Sequence, residues 1–193
     1  MSTPKLPVPM LSIEETTKRI KKLGFDTDLV PLGELSVFRI LLHNEPVADG
    51  IAKLLLTLLF TGNSLDARLR ELIIMRLGWV CGSVYEWTAH WQLARDMEIS
   101  EEDLLAVKDW KNATSLSEAD RAVLQATDDC LEKGFIQEAT WQECFKHLKT
   151  EAERVELVIA IANWSMFAQL LQSLSVPLEE GSEPWPPNGQ APG

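Results

Sequence analysis

The chain has 193 residues, 46% hydrophobic and 24% charged, a balance expected of one soluble domain that buries a core without disulfide or metal staples. Its formal net charge of -11, from 29 acidic against 18 basic residues, opposes nucleic acid and anionic lipid through the long-range field. Three scattered cysteines, Cys81, Cys130 and Cys144, form neither a disulfide framework nor a zinc spacing, so a reducing, cytoplasmic setting and no metal site are expected.

The start, MSTPKLPVPMLSIEE, lacks a basic segment followed by an apolar one, and no run reaches the roughly 18 apolar residues of a membrane span. Neither secretion nor membrane insertion is expected. Prolines cluster at the two ends, and none falls between residues 47 and 176. A proline in a helix interior costs about 3 kcal/mol, so this span predicts an all-α fold.

In chain order, Ser12 with Glu15 reads as a capping box for a first helix that stops at Gly24. A turn around Asp26 to Pro31 precedes a second helix in LGELSVFRILLHN, and Pro46 opens a third that runs to Gly62. Ser64 is the expected cap of a helix through Leu69, Leu72, Ile73 and Leu77 to Trp79. Cys81-Gly82 breaks it, and the next helix runs from about Ser83 to Met97. Ser100 caps EEDLLAVKDW, Ser117 with Asp120 opens a helix ending at Gly134, and EATWQECFKHLK follows. Thr150 with Glu153 caps EAERVELVIAIANWSMFAQLLQSL, which is apolar on nearly all sides from Val155 to Leu171. Such a helix is central, interfacial or both. From Pro177 the Pro/Gly-rich tail should be extended or disordered unless a neighbour holds Trp185.

Reactive side chains concentrate between Glu71 and His90. On a helix, Ser83, Glu86 and His90 share one face. Glu86, one turn before His90, could fix the imidazole tautomer and raise its basicity, as a general base requires; the plainer role is a solvated i,i+4 pair. Glu71 is either on a wet edge with Arg70 or Arg68, or buried with a raised pKa as a proton donor. Arg76 is either a packing ion pair or an anion clamp. Cys81 has no second cysteine at CxxC spacing and reads first as a small buried filler. Trp79, Trp87 and Trp91 could roof a pocket or fill a core. No P-loop, GxGxxG, HExxH or GxSxG pattern is present.

The stretch LDARLRELIIMRLGWVCGSVYEWTAHWQLARDMEIS, through RELIIMR and YEWTAH, resembles the carboxymuconolactone decarboxylase-like family, which includes the AhpD-type alkylhydroperoxidases. The resemblance implies an AhpD-like helical domain over residues 46–176, with an N-terminal helical extension over 1–45 and the tail over 177–193. In the peroxidase branch the pattern is a Glu, then twelve residues on a Cys-x-x-Cys, then three residues and a His. Glu71 and His90 match its ends, and the two cysteine positions fall on Ser83 and Glu86. Without an attacking and a resolving thiol, disulfide-cycling peroxide reduction has no route. The decarboxylase branch also lacks the pair, and resemblance to it implies a cofactor-free lyase, active at a subunit contact in trimers or hexamers.

The expected function is therefore a cofactor-independent lyase or isomerase, most like a decarboxylase of a small organic acid or lactone. Catalysis would rest on His90 oriented by Glu86, with Glu71 as a second acid or base. Arg76, and less so Arg70, would clamp the substrate's carboxylate, and Ser83, Tyr85, Trp87 and Cys81 would complete the pocket. The alternative is a non-catalytic oligomeric binding or accessory protein.

Overall fold

The computed structural model describes residues 6–26 and 31–193. Pro4 and most of the turn expected between Asp26 and Pro31 lie outside them. Among the described residues there is no strand, and the fold is all-α. In order the helices are α1 (Ile13–Lys22), α2 (Ser36–Leu41), α3 (Glu45–Leu56), α4 (Ala67–Val80), α5 (Val84–Asp96), α6 (Glu101–Ala106), α7 (Glu118–Lys133), α8 (Glu138–His147) and α9 (Glu151–Ser173). A π-helical turn, Thr57–Thr61, extends α3, and a 3₁₀ turn, Val107–Asp109, extends α6.

The chain's short polar residues set most helix starts. Ser117 and Asp120 exchange side-chain and backbone hydrogen bonds at the start of α7, as do Thr150 and Glu153 at α9. Ser12 caps α1 by accepting from the Glu15 N–H, and Ser100 caps α6 through the Asp103 N–H. Ser64 is not the cap of α4. Asp66 takes that place, accepting from the N–H groups of Arg68 and Leu69, because its carboxylate complements the positive helix end better than a hydroxyl would. The Ser64 and Leu65 N–H groups instead donate to Glu156 on α9.

Helix α4 runs through the centre. From Leu69 to Gly78 every residue but Arg76 is buried. One side, Ile73, Ile74 and Leu77, packs with α7, α8 and α9 around Trp164. The other, Leu72 and Met75, packs with Trp87, Trp91, Leu104 and Leu124. A third cluster joins α1, α2 and α3 to Phe167 and Leu171 of α9. Helix α9 has the length and mean hydropathy, 1.3, of a membrane span, yet half of that window is buried inside the fold. It is a core helix with one apolar side left bare at Val155, Val158, Ile159 and Met166.

The tail is held by its own chain rather than by a neighbour. Trp185 lies edge-on to Trp79, its N–H donates to Thr88, and the Trp87 indole N–H donates to the Pro186 carbonyl at 2.8 Å. Glu179 accepts from the Ser36 N–H at 3.0 Å and from the Tyr85 hydroxyl. These bonds tie the tail across the start of α5.

Candidate active site

Helices α4 and α5 approach closely because Gly78 has no side chain: a Cβ there would sit 3.1 Å from the Trp87 nitrogen and 3.4 Å from its Cα. Across this contact the His90 Nδ1 reaches Glu71 Oε2 at 2.7 Å. Glu71 is wholly buried, and its other oxygen accepts from Arg70 Nε at 3.3 Å, which supplies the counterion a buried carboxylate needs. Arg70 also donates to the Leu58 carbonyl at 3.1 Å. On the far side of the ring, the Trp164 indole N–H donates to His90 Nε2 at 3.1 Å. An indole nitrogen can only donate, so Nε2 accepts and the ring proton sits on Nδ1 towards Glu71. Arg70, Glu71, His90 and Trp164 thus form one satisfied chain.

The expectation that Glu86 orients His90 is corrected. Both residues face one side of α5, as their spacing requires, but the tight α4–α5 contact gives the imidazole to Glu71. Glu86 is left buried, 2% exposed, with neither carboxyl oxygen making a well-formed hydrogen bond. Burial pushes its carboxyl up to about 8; the nearby Ser83 hydroxyl works in the opposite direction, though without good hydrogen-bond geometry. At neutral pH Glu86 is a protonated acid in an apolar wall.

Glu86, His90 and Tyr85 line a cavity of about 200 Å³ between α2, α3 with its π-turn, α5, α9 and the tail. The other walls are apolar, including Leu35, Phe38, Leu59 and Phe167, and Glu179 closes one side. The Tyr85 phenol is held in its protonated form by burial and by the Glu179 charge. A larger groove of about 520 Å³ between α7 and α8 is lined by Trp110, Arg121, Gln125 and Glu143 among others, and these four side chains pair within the chain. The smaller cavity is the candidate site, since a buried acid without a partner and apolar walls meet there.

Several expected pocket residues lie elsewhere. Arg76 is not an anion clamp: its guanidinium grips Asp128 at 2.7 and 3.0 Å and donates to the Val107 and Lys108 carbonyls. A side chain that spends four of its five donors within the chain, with its charge paired to Asp128, is not free to clamp a substrate. Arg70 is buried and paired with Glu71 and the Leu58 carbonyl. Trp87 is fully buried in the tryptophan cluster behind α5, and Ser83, buried at the N-cap of α5, lines a separate hollow of about 220 Å³ with Leu171 and Val176. Cys81 caps the end of α4 and is half-buried; burial and then the Glu86 charge push its thiol up, the reverse of an activated cysteine. Trp164 and Glu179 went unforeseen, because one sits in an apolar run and the other in a proline-rich tail.

Residues 45–129 match the sequence profile of the Carboxymuconolactone decarboxylase family. The matched segment is less than half of the chain. It runs from the start of α3 into α7 and carries Glu71, Glu86 and His90. No curated protein matches the sequence. Among solved structures, the fold is similar to an alkylhydroperoxidase AhpD core, an uncharacterized peroxidase-related protein from Ralstonia eutropha JMP134, with a TM-score of 0.75 at 15% identity over 93% of this chain and 95% of that one. It is similar to an uncharacterized peroxidase-related protein from Silicibacter sp. TM1040, with a TM-score of 0.70 at 14% identity over 92% and 94%. It is also similar to the debrominase Bmp8, whose variant was solved with 2,3,4-tribromopyrrole, with a TM-score of 0.72 at 15% identity over 93% and 95%. The all-α fold is the AhpD-like fold of these structures.

Proposed function

We propose that this protein is a cofactor-independent lyase or isomerase that moves a proton on a small bound molecule, with Glu86 as the transferring group. The observation that supports it most is Glu86 itself, a buried carboxyl raised to about 8 with both oxygens unpartnered in the wall of a cavity. Such a group can give its proton to a developing enolate or leaving oxygen and take one back from carbon, which is acid–base catalysis by a single residue. Its acid form is the one present below about pH 8, so steps that need the acid slow above that value.

His90 has a smaller part in this reading than its spacing suggested. With Nε2 accepting from Trp164 and Nδ1 against Glu71, it forms a fixed polar edge beside the substrate. A decarboxylase in the strict sense needs a cation for the departing carboxylate, and Arg70 and Arg76 are both committed elsewhere. Proton transfer without an anion clamp is what the cavity supports. The peroxidase reading is disfavoured because Ser83 and Glu86 stand at the paired-thiol positions and the Cys81 thiol is raised.

The accessory-protein reading draws on the satisfied Arg70–Glu71–His90–Trp164 chain, which would serve a purely structural role, but it leaves the unpartnered acid unexplained. The bare apolar side of α9, with Val155 63% exposed, together with Phe135 on α7's flank, also 63% exposed, supports a homo-oligomer. To test the function, wild type and Glu86→Gln are incubated in deuterium oxide with lactones, cyclic ketones and keto acids, and deuterium uptake is read by mass spectrometry. Exchange that falls by roughly 10²-fold or more in the variant, the low end for a lost acid–base group, is expected. Equal exchange by both proteins contradicts the assignment.

A further inference from the structure

Taken with the proton-transfer reading, on which it rests, the lining of the cavity restricts the ligand. Among the described residues no Lys or Arg lines it, and its ionisable members are Glu86, Glu179, Tyr85 and His90. The phenol is no free donor, since its hydroxyl is given to Glu179. The His90 ring offers none either: its proton faces Glu71, and its Nε2 already accepts from Trp164. Glu179 adds a carboxylate that the tail holds in place by the Ser36 and Tyr85 bonds, both landing on Oε1.

An anion entering this space would lose its water in an apolar cavity beside a carboxylate and meet no counterion, the arrangement in which desolvation is not repaid. An uncharged molecule pays no such cost. A volume of about 200 Å³ falls below the range of about 300 to 1,000 Å³ that holds drug-sized ligands, which suits a single ring with few substituents.

We propose that the cavity takes an uncharged, single-ring-sized molecule, apolar over most of its surface, and that Glu179 on the tail is the specificity-determining residue that rejects anions. This turns the tail from a surface appendage into a wall of the site.

Benzamide and benzoate have nearly the same shape and differ in charge, so they are the probes, titrated by calorimetry into the full chain. Wild type is expected to bind benzamide at least about tenfold tighter than benzoate, a difference of about 1.4 kcal/mol. Glu179→Gln is expected to bring the two within about threefold by strengthening benzoate, with benzamide unchanged. Ala89→Trp and, separately, Leu56→Trp, each placing an indole in the cavity, are expected to abolish binding of both probes while far-ultraviolet circular dichroism stays helical. Equal or preferred benzoate binding, a preference unchanged in Glu179→Gln, binding that survives both cavity-filling variants, or no benzamide binding at its solubility limit overturns the proposal. The outcome is separable from the proton-transfer reading: a wild type that favours benzamide yet exchanges no deuterium sinks the function and spares the ligand class, and one that exchanges deuterium yet favours benzoate does the reverse.

Discussion

Replacing Glu86 with Gln tests the electrostatics of the site without any knowledge of the substrate. In the unfolded chain the carboxyl ionises near the ordinary 4.5, and in the folded protein near 8. Between those values the folded state keeps a proton that the unfolded state has released, so this residue makes stability fall as pH rises through the window and become level above it. At about 1.4 kcal/mol per tenfold change in proton affinity, raising the carboxyl from 4.5 to about 8 corresponds to on the order of 5 kcal/mol. Gln has the same shape but no proton to lose, so its curve lacks this descent. Its amide is also buried without a partner, which makes absolute stabilities of the two proteins hard to compare and the difference in slope the informative quantity. Every other titrating group is common to both and cancels. Urea denaturation at several pH values from 5 to 9 should show Glu86→Gln gaining several kcal/mol on wild type as pH rises. Parallel curves would refute the argument that burial without a partner governs this carboxyl.

Other variants probe the parts that hold the site. Arg70→Met removes the counterion of wholly buried Glu71 and should destabilise the fold by roughly 3 to 5 kcal/mol in chemical denaturation, the usual consequence of leaving one member of a buried pair. Arg76→Met breaks the Asp128 pairing and should likewise lower stability by about 3 kcal/mol, while benzamide affinity, read by calorimetry, stays within about twofold; a large loss of affinity would restore Arg76 to the binding site. Gly78→Ala puts a methyl against the Trp87 backbone and should cost about 1 to 3 kcal/mol, with weakened coupling between the Glu71 and His90 rows visible as a changed His90 signal in ¹⁵N NMR. Trp164→Phe withdraws the indole donor from His90 Nε2. Nitrogen chemical shifts should then report a mixture of ring tautomers in place of the single Nδ1–H form, and an unchanged spectrum would show that Glu71 alone fixes the ring.

Much of the fold could be read from local signals. Ser12, Ser100, Ser117 and Thr150 start helices where short polar side chains can reach a free N–H, and Gly24 and Gly134 stop them with positive φ angles of 89° and 85°. Ser64 misled because two capping residues stood two positions apart and the choice between them was made by Glu156, distant in sequence. The same limit applied to the site. Glu86 and His90 were placed on one face correctly by periodicity, but periodicity cannot say that Gly78 lets a second helix come close enough for Glu71 to take the imidazole. For Arg76 the choice between packing ion pair and anion clamp stays open in sequence for the same reason: Asp128, its partner, is 52 residues away. Glu179 was hidden by a tail whose composition suggested disorder, whereas its few apolar and aromatic residues dock on surfaces built by other elements. Local chemistry is legible in sequence, and the identity of a buried charge's partner is a property of packing.

The central claim is that Glu86 stands protonated and unpartnered in the cavity wall. Labelling the glutamates with ¹³C at the side-chain carboxyl and following their NMR shifts with pH, with the Glu86 signal assigned by its loss in Glu86→Gln, measures this directly. The account predicts a midpoint near 8 that moves when benzamide occupies the cavity. A midpoint near 4.5, the value of an exposed glutamate, or one indifferent to benzamide, would contradict it.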